Sequence, residues 1–321
     1  VGLLSSDNVN NFSTILLSIV LEGFPFLIIG ALVSSLIQVF VSEETIQRII
    51  PKNKFLGMVL MALIGFIFPI CECGIVPVTR RLIRKGIPVN MAVTFMLAVP
   101  IINPIVLMST YYAFLGNPGM VIMRGAIGII SALIIGYLIG ELHSGEALKI
   151  KKLSYKGGNI KSVKIHEHHG EHCSCNHCSD GDGDKDILGE IIGHASHELY
   201  DIGRFFIIGA LLSSLMQTYV PKSYIMAIGG GTVSSIITMM LLAFLLSICS
   251  ETDAFIARTF VGQFTNGSIL AFLIFGPMID IKNTIMLSSS FKYKFVLKLM
   301  FLIFSVCFLA AIGSNFLQFI K

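Results

Sequence analysis

Two thiols flank a carboxylate in the stretch PICECGIVPVTRR, residues 69 to 81, and a third thiol, Cys249, heads a second polar run, SICSETDAF. Both runs interrupt strongly apolar sequence. Thiolate sulfur is a soft donor that selects soft cations, and a carboxylate beside it adds a hard oxygen and a proton carrier. On an uninterrupted α-helix Cys71 and Cys73 would point about 200° apart, so bringing them to one site requires the helix to unwind. Pro69, Gly74 and Pro77 suit such a break, since proline removes a backbone donor and glycine admits conformations other residues avoid. Cys249 is followed by Ser250, Glu251, Thr252 and Asp253. A carboxylate at membrane depth costs at least about 2.5 kcal/mol on insertion scales, so Glu72, Glu251 and Asp253 are expected to face partners or a cavity. Cys307, alone in a final apolar run, reads as a small buried hydrophobe.

A second set of donors lies elsewhere. HEHHGEHCSCNHCSD holds His166, His168, His169, His172, Cys173, Cys175, His177 and Cys178, more nitrogen and sulfur than one tetrahedral ion requires. The pattern points to a soft or borderline metal such as Zn or Cu, without matching one zinc-finger spacing. It sits in a polar, lysine-rich and glycine-rich stretch that reads as a water-exposed linker.

The elements that must position these groups are membrane helices. Hydrophobic residues make up 54% of the 321-residue chain and charged residues only 13%, with a mean hydropathy of +0.82, against roughly 25% charged residues in soluble domains. Apolar segments long enough to cross a bilayer are expected near 13–40, 55–78, 90–114, 119–140, 203–220, 226–249, 266–288 and 295–319. The alternating ten-residue pattern of an outer-membrane barrel is missing. The expected fold class is therefore an all-α integral membrane protein of about eight membrane helices, broken or re-entrant at the Cys71 and Cys249 motifs.

The apolar parts resemble each other. FLIIGALVSSLIQVFV at 26–41 aligns with FFIIGALLSSLMQTYV at 205–220, placing Gly30 on Gly209 and Gln38 on Gln217. Further along, Cys71 falls on Cys249 and the segment from Pro100 to Asn103 on that from Pro277 to Asp280. The expected organisation is a first membrane repeat at 1–140, the His/Cys-rich linker at 141–198 and a second repeat at 199–321. Duplicated membrane segments commonly form transporters with a mid-membrane site where the copies meet. Asn103 and Asp280, together with Cys71, Glu72, Cys73, Gly74, Cys249, Glu251 and Asp253, are thereby expected to gather there. The basic residues after 55–78 (Arg80, Arg81, Arg84, Lys85) leave open whether the repeats run parallel or inverted.

The ordered motifs CECGIVPVTRRLIRKGIPVNMAVTFMLAVPIINPIVLMS at 71–109, CSETDAFIARTF at 249–260, GSILAFLIFG at 267–276 and IDIKNTIMLS at 279–288 resemble the predicted-permease family that includes the ArsP-like organoarsenical exporters. The resemblance covers nearly all the apolar sequence. It implies an inner-membrane, multi-pass permease, not an enzyme, and for the arsenical branch efflux of trivalent organoarsenicals held by thiols. Family members often carry Ser where Glu72 stands. Trivalent arsenic prefers sulfur, and Cys71, Cys73 and Cys249 could supply two or three sulfurs. Expected partners are the bilayer, a small metalloid or metal cargo, protons for coupling and a metal-delivery protein for the linker; no nucleic acid and no resident cofactor are expected beyond a Zn or Cu ion on the linker. Two alternatives stand beside this reading: a Zn or Cu permease with a metal-sensing loop, and a membrane thiol oxidoreductase.

Overall fold

The computed structural model describes residues 6–40, 51, 53–67, 71–114, 117–142, 147–148, 187–219 and 231–319. The histidines and cysteines expected to bind metal at 166–178 lie outside the described residues. Among those described there are twelve helices and no strands: α1 (Ser6–Phe40), α2 (Lys54–Ile67), α3 (Glu72–Arg84), α4 (Val89–Ile102), α5 (Pro104–Ala113), α6 (Pro118–Leu142), α7 (Ile187–Tyr219), α8 (Thr232–Leu246), α9 (Asp253–Arg258), α10 (Asn266–Met278), α11 (Ile281–Ser290) and α12 (Tyr293–Phe319).

The fold is all-α and membrane-spanning, but the number of spans differs from eight. Six helical stretches among the described residues are long and apolar enough to cross a bilayer: Asn8–Phe40, Val89–Ala113, Pro118–Leu142, Ile191–Thr218, Asn266–Ser290 and Tyr293–Phe316. The expected spans at 55–78 and 226–249 contain shorter apolar helices, Lys54–Phe66 and Thr232–Leu246, each ending before a cysteine motif. A 15-residue helix reaches only about 22 Å, short of the roughly 30 Å hydrocarbon core. Helix α7 also starts earlier than hydropathy suggested, taking in residues 187–198 at the edge of the polar stretch.

Two of the six spans are central. In Val89–Ala113 and Asn266–Ser290, 78% and 83% of the apolar window is buried by protein, against 22–39% in the other four, whose remaining apolar surface suits lipid. Both central spans are broken in the middle, for local reasons. Asn103 precedes Pro104, and the proline ring disfavours the helical region for the residue before it; Asn103 adopts φ −50°, ψ 129° and accepts from the Ile105 N–H at 3.0 Å through Oδ1, capping α5. In the other span Pro277 ends α10, Ile279 and Asp280 are extended, and Asp280 Oδ1 caps α11 at the Asn283 N–H.

The long helices α1 and α7 pack along each other and run antiparallel. Ser34 Oγ donates to Glu198 Oε2 at 3.2 Å, Ser35 Oγ to the Ile191 carbonyl at 2.7 Å, and Gln38 Nε2 lies 3.3 Å from His194 Nε2. Towards the other end, Gly23 faces Phe206 and Gly203 faces Leu27. Glu198 also binds Arg81 at 2.9 Å, and Arg80 lies 3.8 Å from Glu198 and 3.9 Å from Asp201, tying the C-terminal part of α3 to α7. Two glycines set close helix approaches: a Cβ on Gly30 would strike the Gly74 backbone of α3, and one on Gly209 would come within 3.0 Å of Lys282 Cα in α11.

Candidate functional site

Cys71 and Cys249 occupy the same kind of backbone. Cys71 is extended (φ −79°, ψ 175°) just before α3, and its carbonyl accepts from the Gly74 and Ile75 amides at 3.2 Å each. Helix α8 stops at Ser247 in the left-handed region (φ 45°), and the Cys249 carbonyl then accepts from the Thr252 and Asp253 amides at 3.0 Å each. Each cysteine thus sits where a helix has broken and a new helical turn begins.

The two breaks meet. The sulfurs of Cys71 and Cys249 and a carboxylate oxygen of Glu72 all lie within 4.8 Å of one another, and all three residues are buried. Cys73 is also buried and neighbours Cys71, but its sulfur is outside this three-atom group; it faces α1, 3.7 Å from where a Cβ on Gly23 would stand. Of the two or three sulfurs that the sequence offers, the two of Cys71 and Cys249 group with a Glu72 oxygen, and the Cys73 sulfur lies beside them. All four described cysteines are free.

Glu72 is held from two sides. Its Oε2 accepts from Ser250 Oγ at 3.1 Å, and its Oε1 lies 3.5 Å from Lys282 Nζ. Lys282, 3% exposed, also lies 3.8 Å from Asp280 Oδ2. An ion pair removed from water persists only when charges are compensated, and here one ammonium serves two carboxylates. Glu22 and Glu251 add further acidity around Glu72: Glu22 accepts from Thr252 Oγ1 at 3.2 Å, and Glu251 is half-buried with Oε1 lacking a hydrogen-bond partner among the described residues. A centre with this excess of carboxylates disfavours oxyanions and suits cationic or neutral thiophilic species.

Asp253 has a different place. Arg124, completely buried in α6, grips it with two parallel bonds, Nη1 to Oδ1 at 2.9 Å and Nη2 to Oδ2 at 2.6 Å. The same guanidinium donates to Thr110 Oγ1 at 2.7 Å and to the Ser250 carbonyl at 3.3 Å. Asp253 is thus a strut that fixes the turn after Cys249, four residues along the chain from the thiol. Asn103 and Asp280 cap the half-helices α5 and α11, leaving Asn103 Nδ2 and Asp280 Oδ2 without a hydrogen bond among the described residues. Gly74 serves as the backbone surface on which Gly30 rests.

Lys282 and Arg124 are the participants that reading by motif missed, and Ser250, named only as part of the polar run, binds Glu72. Lys282 and Arg124 each had a signal, a lone base inside an apolar segment, which at membrane depth calls for a buried acidic partner.

A buried cluster of opposed charges and thiols within broken membrane helices belongs to a membrane transport protein. The predicted-permease family model of the ArsP type matches residues 8–316, and the chain belongs to that family. It is 44% identical over 285 residues, 88% of this chain and 90% of the relative, to UPF0718 protein YcgR of Bacillus subtilis (strain 168). It is 37% identical over 287 residues, 88% of each chain, to a putative two-component membrane permease complex subunit of Streptococcus mutans serotype c. A shorter similarity, 26% over 112 residues covering 35% of this chain and 32% of the relative, links it to UPF0718 protein YraQ of Escherichia coli (strain K12). No solved structure matches the chain at a significant level. It is a multi-pass membrane protein of a permease family.

Proposed function

We propose that the protein is an efflux permease for a thiol-reactive metalloid or metal species, trivalent organoarsenicals among them, bound in mid-membrane by Cys71 and Cys249 beside Glu72. The observation that carries this is the meeting of two thiols from two separate helix breaks within 4.8 Å of each other and of a carboxylate. A monoalkylated arsenic(III) has two exchangeable hydroxyls. Two thiols displace both with formation of two waters, and hydrolysis reverses the step, so binding and release need no oxidant. Glu72, beside the thiols, would relay a thiol proton to the departing hydroxyl, which leaves as water, and pass it back when hydrolysis releases the cargo.

Alternating access is supported by the relation between the two membrane parts. Residues equated by the internal sequence similarity touch each other: Cys71 meets Cys249, Glu72 meets Ser250, and α1 packs on α7. Contact between equivalents is what a two-fold axis imposes on residues lying beside it. Because α1 and α7 run antiparallel, that axis lies in the membrane plane, the arrangement of an inverted repeat. The two glycines with positive φ among the described residues, Gly86 (95°) and Gly262 (85°), fall within two residues of each other in the same register. Cargo on the axis is equally distant from both membrane faces. The polar sequence between Leu142 and Ile187 is the part without a counterpart, and we assign its histidines and cysteines at 166–178 to metal capture ahead of the central site. The designation of the streptococcal relative as a complex subunit suggests a second subunit here too.

The test is accumulation of trivalent methylarsenical by everted membrane vesicles. Uptake by wild type that is lost in Cys71→Ser and in Cys249→Ser is the expected result. Uptake unaffected by both substitutions would overturn the site, and absence of uptake by wild type would remove arsenicals as cargo.

A further inference from the structure

We propose that Lys282 is a tethered cation that competes with cargo for Glu72, which makes the central site an exchanger for thiophilic metal cations that take one carboxylate oxygen along with two sulfurs. The inference rests on Cys71 and Cys249 being the cargo site and adds the cargo's charge class and the device that releases it. The Glu72 carboxylate serves two purposes in one place: one oxygen completes the group with the two sulfurs, and Oε1 faces the Lys282 ammonium. A cation coordinated by the sulfurs and Glu72 would share this one carboxylate with the Lys282 ammonium, and the two positive charges repel each other.

The lysine is fixed at its stem and loose at its head. Gly209 brings α7 against the Lys282 backbone, leaving about 3.0 Å for an added Cβ, so the main chain there has little room to shift. The ammonium, with three donors to place, makes no contact shorter than 3.5 Å with Glu72 or 3.8 Å with Asp280. The guanidinium of Arg124, by contrast, holds Asp253 at 2.6 and 2.9 Å. Asp280 Oδ2 has no hydrogen bond among the described residues and offers the ammonium an alternative partner when cargo takes Glu72. Return of the ammonium to Glu72 would then expel the cation. The charge around the thiols agrees: Glu72 and Asp280 share one lysine, while Glu22 and Glu251 lie nearby, so the site attracts an incoming cation and repels an oxyanion.

The experiment titrates the full-length, detergent-purified chain with Cd2+, a soft divalent probe, and follows sulfur-to-cadmium charge-transfer absorption. Subtracting the Cys71→Ser titration removes the contribution of the linker thiols. Lys282→Met, or Lys282→Gln where methionine is not tolerated, is expected to tighten the Cys71-dependent component by at least about tenfold, since removing a unit charge a few ångströms away is worth more than that at an effective dielectric constant near 20. Lys282→Arg is expected to bind no tighter than wild type, and Glu72→Gln to abolish the gain when combined with Lys282→Met. A Cys71-dependent band with the same affinity in wild type and Lys282→Met would overturn the competition while leaving the thiol site intact. No such band in any variant would overturn the thiol site and the competition together.

Discussion

The Arg124–Asp253 pair should behave as a structural strut whose loss is felt through the cysteine turn. Both partners are almost fully buried, at 0% and 3% side-chain exposure, and are joined by bonds of 2.6 and 2.9 Å. Arg124→Met leaves the Asp253 carboxylate without its counter-ion and the Ser250 carbonyl and Thr110 hydroxyl without a donor. Removing one partner of a buried pair costs about 3–5 kcal/mol, most of it the stranded charge and not the lost attraction. Asp253→Asn alone strands the guanidinium and should cost a similar amount. The combined Arg124→Met/Asp253→Asn variant removes both charges and should be at least about 1 kcal/mol more stable than the sum of the single effects predicts. Unfolding equilibria in mixed dodecyl sulfate and mild-detergent micelles measure all four proteins of the cycle. Single variants within about 1 kcal/mol of wild type, or strict additivity, would refute the assignment of this pair as a strut.

Three further outcomes follow from the same geometry. Gly30→Val and Gly209→Val should each lower stability or yield in the membrane, because a side chain at either place meets the backbone of a neighbouring helix, whereas Gly193→Ala, with nothing within 4 Å, should be neutral; the same micelle assay compares them. Exposed cysteines at Arg84→Cys and Gln263→Cys, near the corresponding α3–α4 and α9–α10 turns, should react with a membrane-impermeant maleimide from opposite faces, and labelling from one face would exclude the inverted repeat. Cys307→Ser should keep wild-type cargo binding where Cys249→Ser loses it, since the Cys307 sulfur is buried 3.7 Å from Met278 Sδ, away from the acidic centre; equal losses would deny the distinction.

Much of the frame was legible because hydropathy and proline placement act locally. The broken helix at Asn103 follows from a residue compelled by Pro104 out of the helical region, and the interruption at 247–252, around Cys249, falls where polar residues replace the apolar ones that would continue the span. Span length was less legible: 55–78 and 226–249 have enough apolar residues to cross, but the first is interrupted at the extended Cys71 and the second at the left-handed Ser247. The composition of the site lay beyond local rules. Cys73 shares a motif with Cys71 yet faces α1, and the thiol that joins Cys71 comes from the other end of the chain. Asp253 reads as a free carboxylate until Arg124, 129 residues away, is seen to hold it.

The two basic residues in the buried centre divide the labour of a transporter. A permease needs a site rigid enough to gather its donors and loose enough to surrender cargo, and a single kind of ion pair cannot supply both. Arginine's planar fork locks bidentately onto a carboxylate, while lysine presents a compact charge on a flexible stem. Arg124 is used where the backbone after Cys249 must be held, with every contact at or below 3.3 Å. Lys282 is used where a carboxylate must be released, with neither contact below 3.5 Å. Exchanging the two chemistries should therefore be asymmetric: Lys282→Arg would bind Glu72 and Asp280 too firmly and slow transport while leaving the fold sound, and Arg124→Lys would lose the fork and weaken the fold before transport is reached. Equal effects of the two substitutions on stability would mean that both pairs are merely structural.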